Sequence, residues 1–201
     1  MSESNNYSAK IKVILLGESR VGKTCLINAY FGRQFRANTL FTTIPESENK
    51  IIEINEKKYL IELFDTAGQE KYRSMNNIFI KGSKVVIFVY DVTEEKTFIE
   101  LDYWIKTTKE ILAKDAIYGI AGNKADLVEE IKIPNEKGKK YAEENGAKFC
   151  ETSAKEDSKG FQSFLNKLIQ EYIETNIDKI SNEKNGKKLS SKNNKKKKKC
   201  C

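Results

Sequence analysis

Residues Gly17 to Thr24 read GESRVGKT, a G-x-x-x-x-G-K-T spacing set between an apolar run and a stretch of helical character. That arrangement suits phosphate chemistry. The backbone N–H groups of Ser19, Arg20, Val21, Gly22, Lys23, Thr24 and Cys25 can wrap a β-phosphate at the positive end of the following helix. Gly22 permits close backbone approach, the Lys23 ammonium reaches β- and γ-phosphate oxygens, and the Thr24 hydroxyl suits a Mg²⁺ ligand. Arg20 admits two readings: an exposed loop side chain, or a cation supplied in cis to the phosphates.

A phosphate loop alone leaves ATP and GTP open. The stretch GNKAD, Gly122 to Asp126, closes the question with N-K-x-D at the end of an apolar run. The Asp126 carboxylate can accept both N1–H and the exocyclic amine of guanine, whereas adenine would leave it unpaired and repelled. Lys124 can lay its stem over the base, Asn123 can tie this loop to the phosphate loop, and Leu127 flanks them. In ETSAK, Glu151 to Lys155, the Ala154 N–H can meet guanine O6, with Ser153 and Lys155 beside it.

A third stretch, FDTAGQEKYRS from Phe64 to Ser74, also leaves an apolar run. Asp65 can hold Mg²⁺ through water, the Gly68 N–H can sense a γ-phosphate, and Gln69 can orient an attacking water. The chain contains no histidine, which excludes an imidazole base. Phosphoryl transfer to water does not need one, because positioning and electrostatics carry the chemistry.

In this order, with Thr42 between the first and third stretches, the motifs resemble those of Ras-superfamily small GTPases. The wording DTAGQEKYRSM and the terminal Cys200-Cys201 resemble the Rab branch. The resemblance covers about residues 10 to 175 and the tail. It implies Thr42 as the Mg²⁺-binding threonine of the first switch, and Lys23, Thr42 and Gln69 as the catalytic set. It implies Phe35 against the guanine edge. It also implies geranylgeranyl chains on both cysteines, added with an escort protein. Partners implied are a GTPase-activating protein, an exchange factor, a GDP-dissociation inhibitor and effectors. Two features depart from the family: Thr43-Ile44-Pro45-Glu46-Ser47 replaces the usual I-G-V-D-F, and Phe64 stands where tryptophan is usual. Ser47 removes one ring from an aromatic surface shared with Phe64 and Phe79.

The elements that must carry these loops are apolar, β-branched runs at Ile11–Gly17, Lys50–Ile54, Tyr59–Asp65, Lys84–Asp91, Ala116–Gly122 and Ala147–Glu151. Helical patterns fall at Lys23–Phe31, Thr97–Ala113, Asn135–Asn145 and Lys159–Asp178. Their alternation predicts an α/β fold, a P-loop NTPase G-domain with a mostly parallel six-stranded sheet and helices on both faces. Only NEKK separates the second and third strands, so that pair should be an antiparallel hairpin. Trp104 falls with Phe98, Leu101 and Ile105 at helical spacing and reads as packing. Cys25 and Cys150 read as small buried hydrophobes.

The chain has 201 residues and a net charge of +7. Nine lysines against Glu183 place +8 in residues 181–201, so the body carries −1. The expected organisation is a flexible N-terminus (1–9), a GTP-binding domain (10–178) and a disordered polybasic tail (179–201). No aromatic or arginine interleaves the tail lysines to read bases, so a nucleic-acid partner is not expected. KKCC does not fit C-a-a-X, so the ordinary single-prenyl signal is absent. The expected state is a monomer on the cytoplasmic face of an intracellular membrane, with a cytosolic pool. The expected function is a slow GTP-hydrolysing switch that recruits effectors for vesicle trafficking. The alternative is a constitutively GTP-bound, poorly hydrolysing membrane scaffold. An ATP-dependent metabolite kinase is contradicted by NKAD.

Overall fold

The computed structural model describes residues 7–36, 46–66, 73–112 and 115–180, with backbone alone for 73–76 and 158. Six strands form one sheet in the order β2-β3-β1-β4-β5-β6. They are β1 (Ala9–Leu16), β2 (Glu46–Ile54), β3 (Lys57–Asp65), β4 (Val85–Asp91), β5 (Ile117–Asn123) and β6 (Lys148–Glu151). All neighbouring pairs are parallel except β2 with β3. The hairpin between those two turns on Asn55 and Glu56, at φ 50° and 60°. Positive φ at both central residues is what a two-residue turn matched to strand twist requires.

The central strands divide their side chains between two cores. On β1, Ile11, Val13 and Leu15 enter one core while Ile14 and Leu16 enter the other. On β4, Val85, Ile87 and Val89 alternate in the same way with Val86, Phe88 and Tyr90. A strand buried on both faces needs apolar residues at every position, which is why VVIFVY has no polar alternation.

Helices α1 (Lys23–Tyr30) and α6 (Ser158–Thr175) cover the first face. They are joined by Tyr30 Oη to Asn166 Oδ1 (3.0 Å) and by Gln162 Nε2 to the Ala29 carbonyl (2.7 Å). The second face carries α2 (Arg73–Ile80), α3 (Glu95–Ile99), α4 (Leu101–Ile111) and α5 (Asn135–Glu144).

Four features differ from the sequence reading. The helix expected over Thr97–Ala113 is two, α3 and α4, meeting at Glu100 with ψ −8°. Phe98, Leu101 and Trp104 recur every third residue, and a locally tightened turn brings all three to the same core. β2 begins at Glu46 rather than Lys50, because it pairs with β3 along its whole length. An edge strand tolerates the charges of ESENK, so apolar content alone ends it too late. Helix α2 had no sequence counterpart. Of its described side chains Ile80 is buried while Ile78 is exposed. Cys25 and Cys150 are half-buried against the first core rather than fully inside it.

Candidate nucleotide site

Three loops leave the carboxyl ends of β1, β5 and β6 and converge. After β1 the chain passes so close to β4 that a Cβ on Gly17 (φ 146°) would strike the Val89 carbonyl oxygen. At Gly22 (φ 94°) a Cβ would strike Asn123 Nδ2. Both glycines therefore hold space that a side chain would fill, and the second admits the neighbouring loop. Arg20 takes the left-handed φ of 67° in the turn between them, with an exposed side chain.

Lys23 opens α1 and is 6% exposed. Its Nζ donates to the carbonyls of Gly17 (2.9 Å) and Glu18 (2.8 Å), so the ammonium spans its own loop. Burial pulls its pKa down from 10.5 to about 8, against the opposing pull of the Asp65 and Glu18 carboxylates. Thr24 Oγ1 donates to Asp65 Oδ2 at 2.6 Å, which brings together the β1 and β3 ends. A hydroxyl and a carboxylate are hard oxygen donors that suit Mg²⁺, an ion held by few protein oxygens together with phosphate. Among the described residues no group of three or more His, Cys, Asp or Glu side chains could form an all-protein metal cage.

Asn123, 2% exposed, links all three loops. Its Nδ2 donates to the Val21 carbonyl (2.8 Å), and its Oδ1 accepts from the Ala154 N–H (3.1 Å). The Ala154 N–H offered to guanine O6 by sequence reasoning is thus directed to Asn123 here. Ser153 Oγ donates to Asp126 Oδ1 (2.7 Å) and accepts the N–H groups of Lys155 (3.1 Å) and Glu156 (3.0 Å). Lys155 Nζ stands 3.7 Å from Asp126 Oδ2. Leu127 closes the turn through its N–H to the Lys124 carbonyl, 3.0 Å. Lys124 itself has φ 68°, and its ammonium pairs with Asp91 at the end of β4.

A profile of the Ras family matches residues 12–174 of this chain. The chain is 36% identical over 173 residues to the Ras-related protein SEC4 of Saccharomyces cerevisiae, covering 85% of this chain and 80% of that one. It is 33% identical over 186 residues to the Ras-related protein Rab-2B of Dictyostelium discoideum, covering 91% and 92%. Against the Ras-related protein Rab-8B of Homo sapiens it is 32% identical over 182 residues, covering 90% and 87%. The chain belongs to the Rab branch of the Ras family. As a Rab-family GTPase it hydrolyses GTP to GDP and phosphate.

In this Rab-family chain the structure draws together Val21, Gly22, Lys23, Thr24, Asp65, Asn123, Lys124, Asp126, Ser153, Ala154 and Lys155. Ser19 and Cys25 are half-buried in or beside the loop. Phe35 lies beyond α1 and is 42% exposed. Thr42, Gly68, Gln69, Cys200 and Cys201 lie outside the described residues. Ser47 sits directly opposite Phe64 in the β2–β3 ladder, and the Phe64 and Phe79 rings lie 6.0 Å apart. Lys12 Nζ stands 4.5 Å over the Phe64 ring.

Three residues at the site were not assigned to it by sequence reasoning. Trp104 is 1% exposed, as packing predicts, and its Nε1–H also donates to Glu18 Oε1 of the phosphate loop, 3.3 Å away. Asp91 is the third. Its signal was an acid ending the apolar run of β4, the strand paired with β5 beside Asn123.

Proposed function

We propose that this GTPase is a GTP/GDP switch of vesicle trafficking, slow in hydrolysis by itself, which recruits effectors when GTP-bound at a membrane. The observation that carries the reading is Asn123, one buried side chain joined to both the phosphate loop and the Ala154 loop. Such a bridge makes phosphate binding and base reading one cooperative event, as a switch responding to guanine nucleotides requires.

In this reading Ser19 to Cys25 hold the phosphates, and Asn123, Lys124, Asp126, Leu127, Ser153, Ala154 and Lys155 hold the base, with Phe35 at its edge. Lys23 steadies the β- and γ-phosphates, Gly68 senses the γ-phosphate, and Gln69 orients the attacking water. Thr24 and Thr42 hold Mg²⁺ directly and Asp65 through water. The ion, when bound, neutralises charge developing on the phosphates. Loss of the γ-phosphate frees Thr42 and Gly68, and with them two loops that partners read.

Among the described residues no helix is long and apolar enough to cross a membrane. Attachment instead rests on prenylated Cys200 and Cys201 with the lysines before them. Two lipid chains give the residence that one does not, and each lysine near an anionic leaflet adds ~1 kcal/mol. The partners are an activating protein, an exchange factor, a prenylation escort, a GDP-dissociation inhibitor and effectors. The retention of Gln69 and Thr42 favours this switch over a non-hydrolysing scaffold.

Asp126→Asn tests the base assignment. The amide presents a donor to guanine N1–H or its amine, so GTP affinity should fall by orders of magnitude while xanthosine triphosphate affinity rises. Competition binding of the two nucleotides reads the outcome, and an unchanged preference for GTP overturns the assignment.

A further inference from the structure

Asp91 closes β4 and is 5% exposed, beside Asn123 in the parallel ladder. Its Oδ1 accepts from the backbone N–H (2.9 Å) and the hydroxyl (2.7 Å) of Thr93. Its other oxygen pairs with the ammonium of Lys124. The lysine side chain is 34% exposed and so has a path to water, yet it turns back to a buried carboxylate. Its backbone occupies a left-handed conformation that a long side chain adopts only when its surroundings impose it.

We infer that Asp91 is a positioning residue of the base site, holding the Lys124 stem in place for the guanine ring and thereby setting how long nucleotide stays bound. The inference rests on the reading of Lys124 as a base-covering residue. A free lysine samples many rotamers, and stacking on a base would have to freeze them. With its ammonium anchored at Asp91, the four-carbon stem is ordered before nucleotide arrives. Thr93 bonds the other carboxylate oxygen as part of the loop's own fold, separate from the oxygen that meets Lys124. The effect is a dwell time, since an ordered cover over the base slows departure more than arrival.

Dissociation of GDP from full-length protein, measured by chase with excess unlabelled nucleotide, tests this. Asp91→Asn and Lys124→Met should each speed release about tenfold. The double variant should be no faster than either single variant, because both changes remove the same contact. Asp91→Glu, which keeps the charge, should fall between Asp91→Asn and the unaltered protein, and it serves if the amide variant does not fold. Thr93→Val, which removes a donor from the same carboxylate but keeps the lysine pair, should melt lower while releasing GDP at the original rate. Multiplying rates in the double variant, or a Thr93→Val release as fast as that of Asp91→Asn, overturns the inference. So does unchanged release from both Asp91 variants while Lys124→Met is fast. Unchanged release from Lys124→Met instead overturns the base-site reading beneath it.

Discussion

At the scale of single residues, Lys23 is where burial and charge meet. Its ammonium is held by two carbonyls, and burial brings the pKa to about 8. Phosphate oxygens add negative charge and raise that pKa again, so binding draws in a proton. Nucleotide-free protein binding GDP near pH 8 should take up about half a proton, falling towards none near pH 6.5 where Lys23 is already charged. Calorimetry in buffers of different ionisation enthalpy measures the uptake, and a pH-independent value would contradict it. Stability has a definite sign as well. Between about 8 and 10.5 the unfolded chain holds the lysine proton more tightly, so this group makes nucleotide-free protein more stable as pH rises through that window. Lys23, Thr24 and Asp126 were legible in sequence because their spacing is local. Glu18 and Trp104 were not, since 86 positions separate them and only the fold brings them together.

Among the elements, the second core holds a close approach of helix and sheet around one tyrosine. Tyr90 is fully buried, and its hydroxyl has no hydrogen-bond partner among the described residues. Burial holds that phenol well above its usual pKa, with smaller contributions from Glu151 and Cys150. The ring fits because Gly122 on β5 and Gly138 on α5 lack side chains, and a Cβ on either would meet the Tyr90 hydroxyl. Gly138→Ala should therefore cost about 2 kcal/mol by overpacking. Tyr90→Phe should be neutral or gain up to about 1 kcal/mol, since an unsatisfied buried hydroxyl is removed. Denaturant midpoints of the two single variants and the pair decide it. The pair should recover part of the alanine loss, and strict additivity would mean that the hydroxyl is not what the methyl strikes. The apolar run of β4 was plain in sequence. Its glycine counterparts looked like ordinary strand-end and helix residues until their neighbour across the layer was known. Helix α2 was missed as well; of its described side chains Ile80 is buried and Ile78 is exposed.

For the whole molecule, the alternation of strands and helices announced a doubly wound sheet, and the NEKK link announced its antiparallel member. The order of strands and the split between α3 and α4 depended on packing that no local pattern carries. Replacing both Cys200 and Cys201 with serine should leave GTP binding unchanged and move the protein from the membrane fraction to the soluble one. Retention on membranes would remove the lipid proposal. The end of the described body fixes where the proposed anchor would depart. Lys179 pairs with Asp115 at 2.6 Å, and Ile180 is buried in the first core, so the described body ends where β5 begins. Asn123 and the nucleotide loops stand at the other end of that strand, about 20 Å away along its axis. The 21 residues that remain can span at most about 75 Å. Under the lipid proposal the tether leaves the body at the end opposite the nucleotide, and its reach is several times the length of that strand. It therefore sets where the body is attached and how far it can travel, while leaving the nucleotide loops free to turn towards partners in the cytosol or on the same bilayer.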